Sequence, residues 1–190
     1  MSVTCSLLCV LLVASILPAQ NFVNGAAAGF EQKLQRVERN AASTHPDQTP
    51  TEFSEAEINS YVASNAVQLP AGIQSVNFQG EPDVVTANTR VDFDKLKAGN
   101  DSSNPLLGMF SGIHDVVVVA HAYGAGGKGY VNVDKVALDE VEIPRFVLQA
   151  FLEKYVQPKY PEVGLDSTFT LPDRIDIAKV GLHKLVVTQK

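Results

Sequence analysis

Val116 to Tyr123 reads VVVVAHAY, Gly124 to Gly129 reads GAGGKG, and Tyr130 to Leu138 reads YVNVDKVAL. Four consecutive β-branched residues favour an extended chain. The first stretch is apolar on both faces, so it predicts a strand that is buried on both sides or that lines something apolar. The glycine-rich segment predicts a hairpin turn. The returning strand changes parity: Val131 and Val133 are odd, whereas Val136 and Leu138 are even. One extra residue near Asp134-Lys135, a β-bulge, restores a single apolar face.

Toward the C-terminus, Pro144 opens a helical segment. Phe146, Val147, Leu148, Ala150, Phe151, Leu152, Tyr155 and Val156 cover more than half its circumference, which predicts a long apolar helix wrapped by protein or ligand. Pro158 and Pro161 end it, and a closing pair of strands is expected near 174–180 and 185–189. Toward the N-terminus, Val85, Ala87, Thr89, Val91 and Phe93 alternate with polar residues, a strand with one dry face. Before it, Ser54-Glu55-Ala56-Glu57 is a capping box, with Phe53 placed to staple onto Ile58. Phe30, Leu34, Val37 and Ala41 form a narrow stripe on an earlier helix over 26–42. The proline-bearing stretch 43–50 makes that helix read as a loosely attached arm. Helices and strands in this order define an α+β chain.

Met1 to Gln20 reads MSVTCSLLCVLLVASILPAQ, with an uncharged apolar run from Leu7 to Leu17. That run is too short to span a bilayer and suits a secretory signal, although no Lys or Arg precedes it. Residues 1–19 are expected to be removed near Ala19. Residues 20–51 would then form the helical arm and linker, and residues 52–190 one α+β domain. The protein is expected to be exported, periplasmic or extracellular, and soluble after cleavage. Both cysteines, Cys5 and Cys9, fall in the signal, so no disulfide and no thiol chemistry is expected of the mature chain. The net charge of −6 argues against a nucleic-acid partner, which would want a basic face. The stretch 145–190 nevertheless holds seven basic and five acidic residues, which leaves room for peripheral contact with anionic headgroups.

Chemical motifs do not hold. Gly124 to Gly129 matches G-x-G-x-x-G, yet a strand follows where a dinucleotide site needs a helix N-terminus, and Lys128 is not followed by Ser or Thr. His45, His114, His121 and His183 show no metalloprotease spacing; His121, on the apolar strand, reads as a core histidine. Ser111-Gly112 lacks the glycine of a nucleophile elbow. Asp92, Asp94, Asp139 and Glu140 are not marked as an acid–base pair. No catalytic residue, metal ligand or cofactor is assigned.

Three segments carry a resemblance. Phe53 to Val62 (FSEAEINSYV) resembles the opening helix of the LmeA-type family of exported bacterial phospholipid-binding proteins and of the related YpmS-type proteins. Val136 to Pro144 (VALDEVEIP) resembles the strand and turn before their central helix, and Leu171 to Val187 their last hairpin. The likeness extends over about residues 52–190. It implies a strongly bent antiparallel sheet wrapped on a long apolar helix, with one or two N-terminal helices, like one end of a tubular lipid-binding domain. Lipid tails would lie between sheet and helix. Val117, Val119, Phe146, Phe151, Leu152 and Tyr155 are the apolar-groove candidates under this resemblance, each of which also reads individually as core. The expectation is a non-enzymatic envelope protein binding a lipid or other apolar small molecule. The alternative is a periplasmic structural or adaptor domain with a dry core and a protein partner.

Overall fold

A computed structural model describes residues 25–97 and 105–190, so the expected signal segment and both cysteines lie outside the described residues. The architecture of the described residues is α+β: an open antiparallel sheet of nine strands with four helices. The elements run α1 (Gly25–Ala41), β1 (Thr51–Ser54), α2 (Glu55–Ala63), β2 (Ile73–Glu81), β3 (Val84–Asp92), α3 (Phe93–Lys97), β4 (Ile113–Ala125), β5 (Lys128–Leu138), β6 (Val141–Glu142), α4 (Arg145–Phe151), β7 (Asp166–Thr170), β8 (Ile175–Gly181) and β9 (Lys184–Gln189).

The central hairpin is built as its residues require. Gly126 and Gly127 form a two-residue turn, both with positive φ (62° and 76°), a conformation that suits glycine and matches the twist of the flanking strands. Val119 pairs with Lys135 and Ala120 with Val133, which leaves Asp134 as the extra, bulged residue. Val131, Val133, Val136 and Leu138 therefore share one face with Val116, Val118, Ala120 and Ala122 of β4.

β4 changes partners along its length. Residues 113–121 pair with β3, whereas Tyr123 and Gly124 pair with Lys179 and Ala178 of β8. The β2–β3 turn wedges into the fork: Asp83 donates to the Val180 carbonyl and accepts from the Ala122 N–H. A Cβ on Gly124 would lie 2.8 Å from the Ala178 Cβ, so only glycine permits this approach.

The capping box is complete: the Ser54 hydroxyl accepts from the Glu57 N–H, and the Glu57 carboxylate accepts from the Ser54 N–H at 2.8 Å. Helix α2 then covers the outer edge of β2. The Asn59 amide bonds both the N–H and the carbonyl of Phe78, each at 2.8 Å, and Glu55 accepts from the Gly80 N–H. Edge groups that would otherwise template a foreign strand are thereby satisfied.

Two expectations change. The first helix is no loose arm. Ala27, Phe30, Leu34 and Val37 are buried in one cluster with Phe53, Tyr61 and Val187, and Phe30 packs on the rings of Phe53 and Tyr61 at 4.9 and 4.6 Å. The Gln189 amide donates to the Val37 carbonyl, tying α1 to the last strand. The helix after Pro144, in turn, is neither long nor wrapped. Its seven α-helical residues pass into a five-residue π turn at Leu152–Val156, where the Gln157 N–H donates to the Leu152 carbonyl; the longest helix among the described residues is α1, with 17 residues. Pro158 has no N–H with which to continue it. Phe146 is 65% exposed while Val147, Leu148 and Phe151 are buried, so one side faces solvent and only the other faces the sheet.

Candidate functional site

The apolar face of β3, β4 and β5 does not meet α4 in a filled core. Between them lies a cavity of about 240 Å³. Its floor is Val85, Ala87, Thr89 and Val91 of β3, Val116, Val118 and Ala120 of β4, and Val131, Val133, Val136 and Leu138 of β5. Leu148, Phe151, Leu152, Tyr155 and Val156 form the opposite wall. Because side chains alternate across a strand, the odd positions of β3 and the even positions of β4 are the ones that face it.

Aromatic rings close one end. Phe110 packs on Phe151 at 4.3 Å, Phe93 on Phe110 at 5.4 Å, and Phe151 on Tyr155 at 5.2 Å. The loop that delivers Phe110 is held by His114, whose Nδ1 faces Asp139 Oδ2 at 2.5 Å and whose Nε2 faces the Ser111 carbonyl at 2.6 Å. Both ring nitrogens face acceptors, an arrangement that favours the protonated imidazole, in which both donate. The Asp139 hydrogen bond raises the His114 pKa above its ordinary value despite partial burial, and Asp139 is lowered in turn.

The mouth is where wall residues reach solvent: Ala71 and Lys159 are exposed, and Pro70, Leu96, Tyr160 and Val163 are half-buried. The chain after the π turn is fixed here by bonds from the Lys159 and Tyr160 N–H groups to the Val156 carbonyl, and by Gln157 donating to the Val163 carbonyl. Polar groups on the wall are few. Ser167 is bonded to the Gly164 N–H and to backbone carbonyls. The Thr89 hydroxyl is buried without a partner among the described residues.

Of the sequence-derived candidates, Phe151, Leu152 and Tyr155 stand on the cavity wall. Val117, Val119 and Phe146 do not: the two valines belong to the opposite face of β4, and Phe146 points to solvent. The hairpin register held a signal for the valines. Counting out from Gly126-Gly127 pairs Ala122 with Val131 and Ala120 with Val133, which puts the even positions on the apolar face. His121 is also corrected. It is exposed on the odd face and bonded to Asp134, the bulged residue, at 2.7 Å.

A second, smaller space of about 70 Å³ lies under α1, between Phe30, Phe53 and the face of β8 and β9. Comparison of the chain with family models, with curated proteins and with solved structures gives no match.

Proposed function

We propose that this chain is an exported, non-enzymatic protein of the cell envelope that binds a lipid or other apolar ligand between its sheet and the α4 segment. The observation that carries this reading is the 240 Å³ cavity, whose wall is almost wholly apolar. Such a space stays dry when empty and gains by accepting apolar atoms, at roughly 0.8 kcal/mol per buried CH₂. The resemblance of its segments to the LmeA-type family supports the same reading, as does the sheet–helix arrangement, which we take as a bent half-barrel like one end of a tubular lipid-binding domain. Peripheral contact with a membrane surface would deliver the ligand; no helix among the described residues is long and apolar enough to cross a bilayer.

Native mass spectrometry of the protein purified from cells without detergent tests this. A co-purifying lipid-sized mass, together with saturable displacement of an apolar fluorescent dye by fatty acid or phospholipid, is the expected result. Absence of both rejects the reading. The second reading, an adaptor domain with a protein partner, is favoured by Val141 and Phe146, which are 63% and 65% exposed near the start of α4. It predicts a co-purifying protein whose binding is lost in Phe146→Ser.

A further inference from the structure

We infer that the occupant of the cavity is a single-chain amphiphile with an anionic head, its tail inside and its head at Lys159. The inference rests on the apolar-ligand reading above and adds the number of chains, the sign of the head and its direction.

Size limits the tail. A cavity of about 150 Å³ holds benzene, and ligand pockets ordinarily begin near 300 Å³. At about 240 Å³ the space holds roughly ten carbons on the benzene scale, which suits one slender chain of that length and not the two chains of a diacyl phospholipid. Charge sets the head. The protein is acidic, and most of its cations are paired: Lys33 with Glu57, Arg90 with Asp115, Arg145 with Asp166. Lys159 has no ion-pair partner among the described residues, is exposed, and lines the cavity. A carboxylate at the mouth would meet this ammonium while its tail displaced no protein contact. A head pointing inward would be stranded among apolar side chains, at a cost that no partner there offsets. Placement of Lys159 is built into the fold, since the π turn and the bonds to the Val156 carbonyl bring residues 159 and 160 back over the opening. Lys154 supplies a control: it lies over the Tyr155 ring at 5.3 Å and does not line the cavity.

The test measures dye displacement at low salt by decanoate, by decanol and by vesicles of dipalmitoyl phosphatidylglycerol. Wild type should prefer decanoate to decanol by about five- to tenfold, the scale of one charge-assisted contact near solvent. Lys159→Gln should erase that preference and leave decanol affinity unchanged, while Lys154→Gln should keep it. Equal affinity for acid and alcohol in wild type, or a preference that survives Lys159→Gln, overturns the inference but leaves the apolar-ligand reading standing. Stronger displacement by the diacyl lipid overturns the single-chain assignment. Failure of all three probes to bind overturns the apolar-ligand reading, and this inference with it. Circular dichroism confirms that each variant is folded.

Discussion

Helices α1 and α4 both lie against the sheet, and they leave different interiors behind them. Under α1 the side chains of Phe30, Leu34, Val37 and Val187 close up, and about 70 Å³ remains. Under α4 about 240 Å³ remains. The first helix has 17 residues and meets the sheet with a regular three–four spacing of buried positions. The second has seven α-helical residues and a π turn; its Val147, Leu148 and Phe151 cluster with Val91, Val116 and Leu138 of the sheet, yet a cavity stays open beside them. Interiors pack to crystal-like density unless something prevents it. A retained cavity beside a nearly filled one, in the same sheet, is the contrast on which the proposed ligand site rests.

The largest expected effect is at the filled end. Phe30→Ala should cost about 3–5 kcal/mol, because the ring is buried between two others and its neighbours cannot collapse. Chemical denaturation reads this directly; a cost under about 1 kcal/mol would mean that α1 is not docked as described.

A sharper contrast comes from making one substitution at both ends. Val37→Phe overfills a side chain that is 1% exposed and should lose about 1–3 kcal/mol. Val118→Phe adds the same atoms where they can enter the cavity, so its stability should change by less than about 1 kcal/mol while apolar-dye binding falls. Equal destabilisation by the two would erase the distinction between the ends.

Smaller still is Thr89→Val. It keeps the β-branched shape of a strand residue and removes a buried hydroxyl that has no partner among the described residues. The protein should gain about 1 kcal/mol in denaturant unfolding. A loss would show that the hydroxyl is satisfied in solution.

The smallest effect is titratable. The His114 pKa is raised in the fold, so the stabilisation it contributes is complete below its ordinary value near 6.5 and is lost as pH rises through the raised folded value. The gap in thermal midpoint between wild type and Asp139→Asn should therefore narrow as pH rises from below about 6.5 through the raised folded value. A gap that stays constant, or widens, would remove the charged His114–Asp139 pair from the description of the Phe110 loop.

Much of the fold was legible locally. The capping box at Ser54, the glycine turn, the bulge at Asp134 and the helix start after Pro144 each depend on neighbours within a few residues, and each forms where the chain chemistry places it. Three of the six candidates stand on the wall for the same reason: Phe151, Leu152 and Tyr155 recur at helical spacing on one side. Val117 and Val119 were misplaced because a strand apolar on both faces carries no parity of its own; only its pairing with β5 assigns the inner side. The short edge strand β1 was hidden beside the capping box, since four residues show too little alternation to read.

By itself the sequence determined the α+β class, the antiparallel hairpin at the centre and the points where α1, α2 and α4 begin, because caps, turns and bulges are decided by local backbone chemistry; α3 was missed, since Phe93 reads as the last residue of the preceding strand. Tertiary structure alone decided that α1 docks, that β4 forks between β3 and β8, and that a cavity stays open between α4 and the sheet. A cavity is the difference between two large packed volumes contributed by residues far apart in the chain, and no local pattern encodes that difference.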